Sequence, residues 1–221
     1  MPRMSIRSIR HRRPKNPTWN LELERAIILD RETISHPWDL AVLFNRDAPI
    51  EAEIGFGKGT FLLAAARRWP EQNWLGIEYS LACVRLVAER AAKRVLTNVR
   101  LVRADAAVIV HDAIPTESIE AYHIYFPDPW PKKRHHKRRL VTQPFAQSLL
   151  RTLKPGGWLY IATDFQDYFE EMVPAVTAAG LTLVELPADR PEDDEVFRTN
   201  YERKWMEQGK TIYRARFRKL S

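Results

Sequence analysis

From residue 50 onward the chain alternates short apolar runs with amphipathic stretches, and this alternation constrains the fold more than any other feature. Runs at 50–56 (IEAEIGF), 73–79 (NWLGIEY), 99–104 (VRLVRA), 119–126 (IEAYHIYF), 157–163 (GWLYIAT) and 181–186 (LTLVEL) read as strands. Helices fit 60–68, 81–95, 142–153 and 165–178, so strand and helix succeed each other as in a parallel sheet covered by helices. LKPGG at 153–157 reads as a helix stop, because Pro155 cannot continue the ladder and glycine tolerates a left-handed turn. The last run, 211–219 (TIYRARFRK), alternates apolar and basic residues, as a half-exposed antiparallel or edge strand does. The expectation is an α/β fold with a seven-stranded, mostly parallel sheet and helices on both faces.

At 221 residues the chain suits one well-cored domain. Prolines dot the region before residue 48, at Pro2, Pro14, Pro17 and Pro37. Residues 1–17 read as a basic mobile arm and 18–47 as a short helical prelude, within one domain over 18–221 whose core starts at about residue 48. A hydrophobic fraction of 45% with seven Trp argues against disorder, and no apolar run approaches the roughly 18 residues of a membrane span. The N-terminus lacks the apolar centre and cleavage site of a secretory signal, although Arg-rich organelle presequences share part of its character. Cys83 is the single cysteine, which rules out an intramolecular disulfide or a cysteine metal cage and suits the reducing cytoplasm.

The first strand leads into EIGFGKGTFLLAAA, where Gly55, Gly57 and Gly59 permit a tight turn and close approach of a ligand above a helix N-terminus. A dinucleotide fingerprint needs G-x-G-x-x-G; here Thr60 stands in the third place and Gly59 comes one residue early, which argues against NAD. Glu53, an acid in an otherwise apolar strand, would repel a pyrophosphate and attract a sulfonium or an α-amino group. The loop therefore suits S-adenosylmethionine. Glu78 ends the second strand about 20 residues beyond the loop, where an acid accepts ribose hydroxyls. Asp105, after the third strand, is placed to receive an adenine amino group and is nearly as well suited to capping a helix. Strand-end acids of a parallel sheet line one crevice at its C-terminal edge.

The fourth strand delivers FPDPWPKKRHHKRR, residues 126–139, to that same edge. Prolines on both sides of Asp128 restrict the backbone and hold its carboxylate in a stiff turn. The net charge of +7 concentrates here and in the arm: residues 1–17 and 132–139 carry six Lys/Arg each. Removing those twelve from the 35 basic residues leaves 23 against 28 acids. Segregation of this kind suits a polyanion laid across one face, with a solvated tail and a solvated loop as the plainer alternative.

EIGFGKG, GIEYS, FPDPWPKKRHHKRR, ATDF and TNYERKW, in this order over roughly residues 50–217, resemble the bacterial tRNA (guanine-N7-)-methyltransferases. These are Rossmann-like, class I S-adenosylmethionine-dependent methyltransferases. The FPDPW-plus-basic and T-x-[FY]-E elements are specific, whereas many methyltransferases share the glycine loop. The resemblance implies methyl transfer to N7 of a guanine in tRNA, usually position 46 of the variable loop. It implies that Glu53, Gly55, Gly57, Gly59, Glu78, Asp105 and Asp128 contact or border the cofactor. It also puts Lys132, Asp164, Thr199, Asn200, Tyr201 and Glu202 at the substrate, and Arg134, His135, His136, Lys137, Arg138 and Arg139 on RNA. His136 inside the run and Pro131 after the tryptophan depart from the family pattern.

Guanine N7 needs no proton removed before it attacks a sulfonium methyl, so the task is positioning and electrostatics. Asp128 is the candidate for stabilising the charge that the ring acquires. Asp164 and Glu202 offer acceptors for the guanine N1 and N2 hydrogens; a helix cap for Asp164 and a local salt bridge for Glu202 are the structural alternatives. His135 and His136 lack companion ligands, so no metal is expected. The alternatives are a class I methyltransferase acting on another RNA, a protein or a small molecule, and an RNA-binding relative without catalysis. Monomer and homodimer both remain open.

Overall fold

The computed structural model describes residues 20–32, 34, 36–185, 209 and 211–220. Eight strands form one sheet among them: β1 (Ile28–Leu29), β2 (Ile50–Ile54), β3 (Asn73–Glu78), β4 (Val99–Arg103), β5 (Ile119–Tyr125), β6 (Leu153–Thr163), β7 (Thr182–Val184) and β8 (Tyr213–Arg218). Their order is β1-β4-β3-β2-β5-β6-β8-β7, with β1 to β6 pairing in parallel and β8 antiparallel to both β6 and β7. All seven expected strands are present, and the last is antiparallel. The eighth, β1, arises in the prelude and pairs Ile28 with Leu101 and Leu29 with Val102. Two residues are too few to leave a period in the sequence, so this strand was illegible there.

Alternation along the strands sorts their side chains between two cores. Ile50, Ala52, Ile54, Leu75 and Ile77 face one side, packing with α6 (Gln143–Thr152) and α7 (Gln166–Ala178). Trp74, Val99 and Leu101 face the other, against α3 (Thr60–Arg68) and α4 (Leu81–Lys93). Strands buried on both faces explain the near-continuous apolar runs. The prelude supplies α1 (Leu21–Ile27) and α2 (Leu40–Phe44). Arg100, buried in β4, pins the end of α2 by donating to the carbonyls of Leu43 and Phe44.

The LKPGG segment stops α6, and β6 begins within it at Leu153. Ile119 pairs with Leu153 while Ala121 pairs with Trp158, so the intervening residues of β6 loop out of the ladder. A Cβ on Gly157 would lie 2.8 Å from the Lys154 carbonyl oxygen and 3.0 Å from that of Glu120, so only glycine lets the bulge close. The sheet order reverses between β2 and β5, whose connections leave in opposite directions and open a crevice at their C-terminal ends. The glycine loop and the FPDPW turn flank that crevice.

Candidate functional site

On the β2 side, the loop after Ile54 turns through three left-handed glycines: Gly55 (φ 75°), Gly57 (φ 49°) and Gly59 (φ 69°). A Cβ on Gly55 would meet nothing within 4 Å, and one on Gly57 only the Gly55 carbonyl at 4.0 Å. Backbone conformation demands these two glycines, and the space beside them is open to a ligand. Gly59 differs, because its Cβ would fall 2.7 Å from a Val87 methyl of α4. Glycine at 59 is thus also required by packing, letting α3 start close against α4.

Glu78, at the end of β3, holds the loop. Its Oε2 accepts from the Gly57 N–H at 2.9 Å and its Oε1 from the Ser80 N–H at 2.8 Å. Each oxygen keeps a second lone pair for a ligand hydroxyl. Ser80 in turn caps α4 by accepting from Cys83 N–H.

Glu53 is buried, 3% exposed, and accepts from the backbone of Leu62 in the first turn of α3. Gly59, the N-cap of α3, has no side chain to offer, so Glu53 serves the helix start from beneath. Burial pushes its pKa from 4.5 up to about 8, with the Glu78 charge adding to the rise. Its Oε2 has no hydrogen-bond partner among the described residues. Glu53 is therefore a neutral acid at pH 7, whereas the sequence pointed to a carboxylate.

Asp105 takes the cap alternative: its Oδ1 accepts from Ala107 N–H at 2.9 Å, starting the short α5 (Ala106–Val108) that continues as a π-helical turn, Ile109–Ala113. The carboxylate is nevertheless exposed at the crevice edge. Tyr79, directly after Glu78, is 73% exposed at the same edge. Sequence reasoning passed over this ring, because the run 73–79 counted Tyr79 as part of a strand that ends at Glu78.

On the β5 side the ladder runs one residue past the strand, with Phe126 N–H donating to Ala162 O at 2.7 Å. Phe126 (φ 52°) and Trp130 (φ 43°) then adopt left-handed backbone, strained for bulky residues, and frame Pro127, Asp128 and Pro129. Asp128 is exposed and makes no hydrogen bond or ion pair to any described residue. Asp164, just beyond β6, is half-buried and likewise unpartnered among them. The cap alternative for Asp164 fails, because Thr163 Oγ1 accepts from Phe165 N–H and the N-cap of α7, Phe165, has no side-chain cap bond. Since Tyr125 pairs with Ala162, the two acids extend adjacent strands at one edge.

The basic run forms a 3-10 helix, Lys133–Arg138, preceded by Lys132. It folds over Trp130: the Arg138 guanidinium lies 4.9 Å above the indole and the His135 ring meets it edge-on at 5.8 Å. Lys132, Lys133, Arg134, Lys137 and Arg138 are exposed. Arg139 is not. It is 4% exposed, donates from Nε to Pro129 O at 2.9 Å and pairs with Asp167 at 2.8 Å and Glu171 at 2.6 Å on α7. The expected RNA contact at Arg139 is corrected accordingly: its donors are turned inward. Its hydrogen bond to Asp167 holds that carboxyl below the usual range. His136 is half-buried, with Nδ1 3.4 Å from Glu171. His136, Asp167 and Glu171 sit close enough to share a cation, and the Arg139 guanidinium already matches both acids. Thr199, Asn200, Tyr201 and Glu202 lie outside the described residues.

Comparison with known proteins places these features in a family. Residues 47–215 match the family model described as "Putative methyltransferase". A tRNA (guanine-N(7)-)-methyltransferase of Nitrosococcus oceani is 40% identical over 183 residues, which cover 83% of this chain and 77% of that protein. Its namesake from Bordetella pertussis is 39% identical over 185 residues, covering 83% and 72%. In fold, the chain is similar to the crystal structure of the 16S rRNA methyltransferase KamB, with a TM-score of 0.59 at 15% identity over 84% of this chain and 93% of that one. No helix among the described residues is long and apolar enough to cross a membrane.

Proposed function

The chain belongs to the tRNA (guanine-N7-)-methyltransferase family, and from that premise we propose that it methylates N7 of a guanine in tRNA, that of position 46 in the variable loop. The observation that carries this reading is the pair of unpartnered carboxylates, Asp128 and Asp164, at the ends of adjacent strands beside an open glycine loop.

S-Adenosylmethionine supplies an electrophilic methyl group on a sulfonium. The glycine loop and strand-end acids fit it: open space beside Gly55 and Gly57, spare lone pairs on Glu78 for ribose hydroxyls, and Asp105 and the Tyr79 ring at the edge for adenine. Glu53 lies beneath this cradle, its pKa pushed up to about 8 by burial when no cation is beside it.

Guanine N7 would attack the sulfonium methyl through its ring lone pair while the sulfur–methyl bond breaks and its electrons stay with the departing neutral thioether, so no base is required. The ring gains positive charge as the bond forms, and Asp128, fixed between prolines with no competing donor among the described residues, stabilises that charge. Asp164 accepts from the guanine N1 and N2 hydrogens, and the family resemblance assigns Thr199, Asn200, Tyr201 and Glu202 to the same substrate. Lys132, Arg134, Lys137 and Arg138 hold phosphates and set the register of the RNA, leaving the base to the pocket. The enzyme would work in the cytoplasm.

Labelled methyl transfer to unmodified tRNA, followed by nucleoside analysis, tests the reading. 7-Methylguanosine is the expected product; label at any other atom, or on protein, would reject it.

A further inference from the structure

We propose that Arg139 is a positioning residue that sets the acceptor carboxylate: it ties the Asp128 turn to the start of α7 and touches no RNA. The inference rests on the acceptor role given to Asp128 above.

Arg139 follows the last residue of the 3-10 helix, and its backbone (φ −61°, ψ 131°) leaves the helical path. That change of direction sends Arg138 outward over Trp130 and Arg139 into the protein. Three surfaces meet at its guanidinium. Nε donates to the carbonyl of Pro129, the residue after Asp128. Nη2 and Nη1 reach Asp167 and Glu171, one turn apart on α7, whose first residues follow Asp164. The plane lies 4.8 Å from the centre of the Tyr168 ring, which is itself fully buried. The Tyr168 hydroxyl accepts from Val141 N–H at 2.9 Å, fixing the chain just beyond Arg139.

Both acceptor acids are thus referred to one cation. The Pro129 carbonyl sits one peptide from Asp128, and α7 begins two residues after Asp164. Arginine suits this task because its rigid fork serves several acceptors at once, and lysine has no such planar array. The two acids it binds are 60% and 49% exposed, so α7 does not need the pair to avoid burying charge. The turn that it holds contains left-handed Phe126 and Trp130, a conformation that persists only when its surroundings impose it.

The test separates positioning from RNA contact. In Arg139→Gln, and in the milder Asp167→Asn/Glu171→Gln double variant, single-turnover methyl transfer at saturating tRNA and cofactor should fall, by about 10²-fold for Arg139→Gln. tRNA affinity should stay within about twofold and its salt slope should not change. Arg139→Lys should restore part of the rate. The variants combined should lose less than the product of their separate effects. Arg138→Gln, by contrast, should lower the salt slope by about 1 and raise KM for tRNA. Thermal unfolding and cofactor binding identify which variants are folded; if Arg139→Gln is not, the α7 double variant carries the test. A full rate in every folded variant, or a reduced salt slope with the rate retained, would overturn the proposal. Absence of 7-methylguanosine from the wild-type reaction would instead reject the function on which it rests.

Discussion

The two sides of the crevice use their acids differently. On the β2 side, Glu53, Glu78 and Asp105 each accept from backbone N–H groups, those of Leu62, of Gly57 and Ser80, and of Ala107. On the β5 side, Asp128 and Asp164 accept from none of the described residues. The first set organises the protein: Glu78 holds a glycine loop, and Glu53 and Asp105 each accept from the first turn of a helix. The second set is stiffened from outside, by prolines, by the Thr163 hydroxyl and by Arg139, so that its oxygens stay available. A carboxylate without donors keeps its full field for a charge that appears only during reaction. In the proposed reading, the same residue type at the same sheet edge therefore builds a cradle on one side and an electrostatic site on the other.

The strongest way to break this contrast is Glu78→Ala, which removes both loop-holding acceptors and, with them, the proposed ribose acceptors. Cofactor affinity measured by calorimetry should fall about 10²-fold, as two charge-assisted bonds are lost and the loop loosens. If affinity is kept, the β2 side is not the cradle. Next comes replacement of Arg134, Lys137 and Arg138 by Gln, with Arg139 left in place. The slope of log tRNA affinity against log salt should become shallower by about 3, and KM should rise more than tenfold, with cofactor binding intact.

The buried acid sharpens the comparison through pH. Glu53 is protonated in the folded protein up to about pH 8 and ionises near 4.5 when unfolded. The unfolded state therefore binds fewer protons between those values, and stability contributed at low pH is lost as pH rises toward 8. On the order of 2 kcal/mol should disappear between pH 6 and pH 8 in urea unfolding. Glu53→Gln should flatten that decline, and an unchanged pH profile would show that Glu53 is ionised in the fold.

Sequence patterns carried much of the fold because the helices and parallel strands are long and two-sided. They could not carry β1, which has two residues, or the helical turn after Asp105, where AAVIVHDAI gives no clear period. At the site, the glycine spacing and the strand-end acids were legible. Their bonding was not, because caps are decided by single backbone positions: Asp105 accepts from Ala107, whereas Thr163 displaces Asp164 from the cap it was suited to. The basic run shows the same limit. Arg138 and Arg139 are identical in sequence terms, and the end of one 3-10 helix puts one in solvent and the other in the interior. Asp167 and Glu171 lie at helical spacing, and nothing adjacent in the sequence names Arg139 as their partner.

Asp128 is proposed to stabilise the positive charge arising on guanine. Single-turnover methyl transfer by Asp128→Asn, at saturating tRNA and S-adenosylmethionine, tests it most directly. An isosteric amide keeps the turn and removes the charge, so the rate should fall by about 10²- to 10³-fold with cofactor affinity within about twofold of wild type. A near-normal rate with unchanged cofactor affinity would contradict the account.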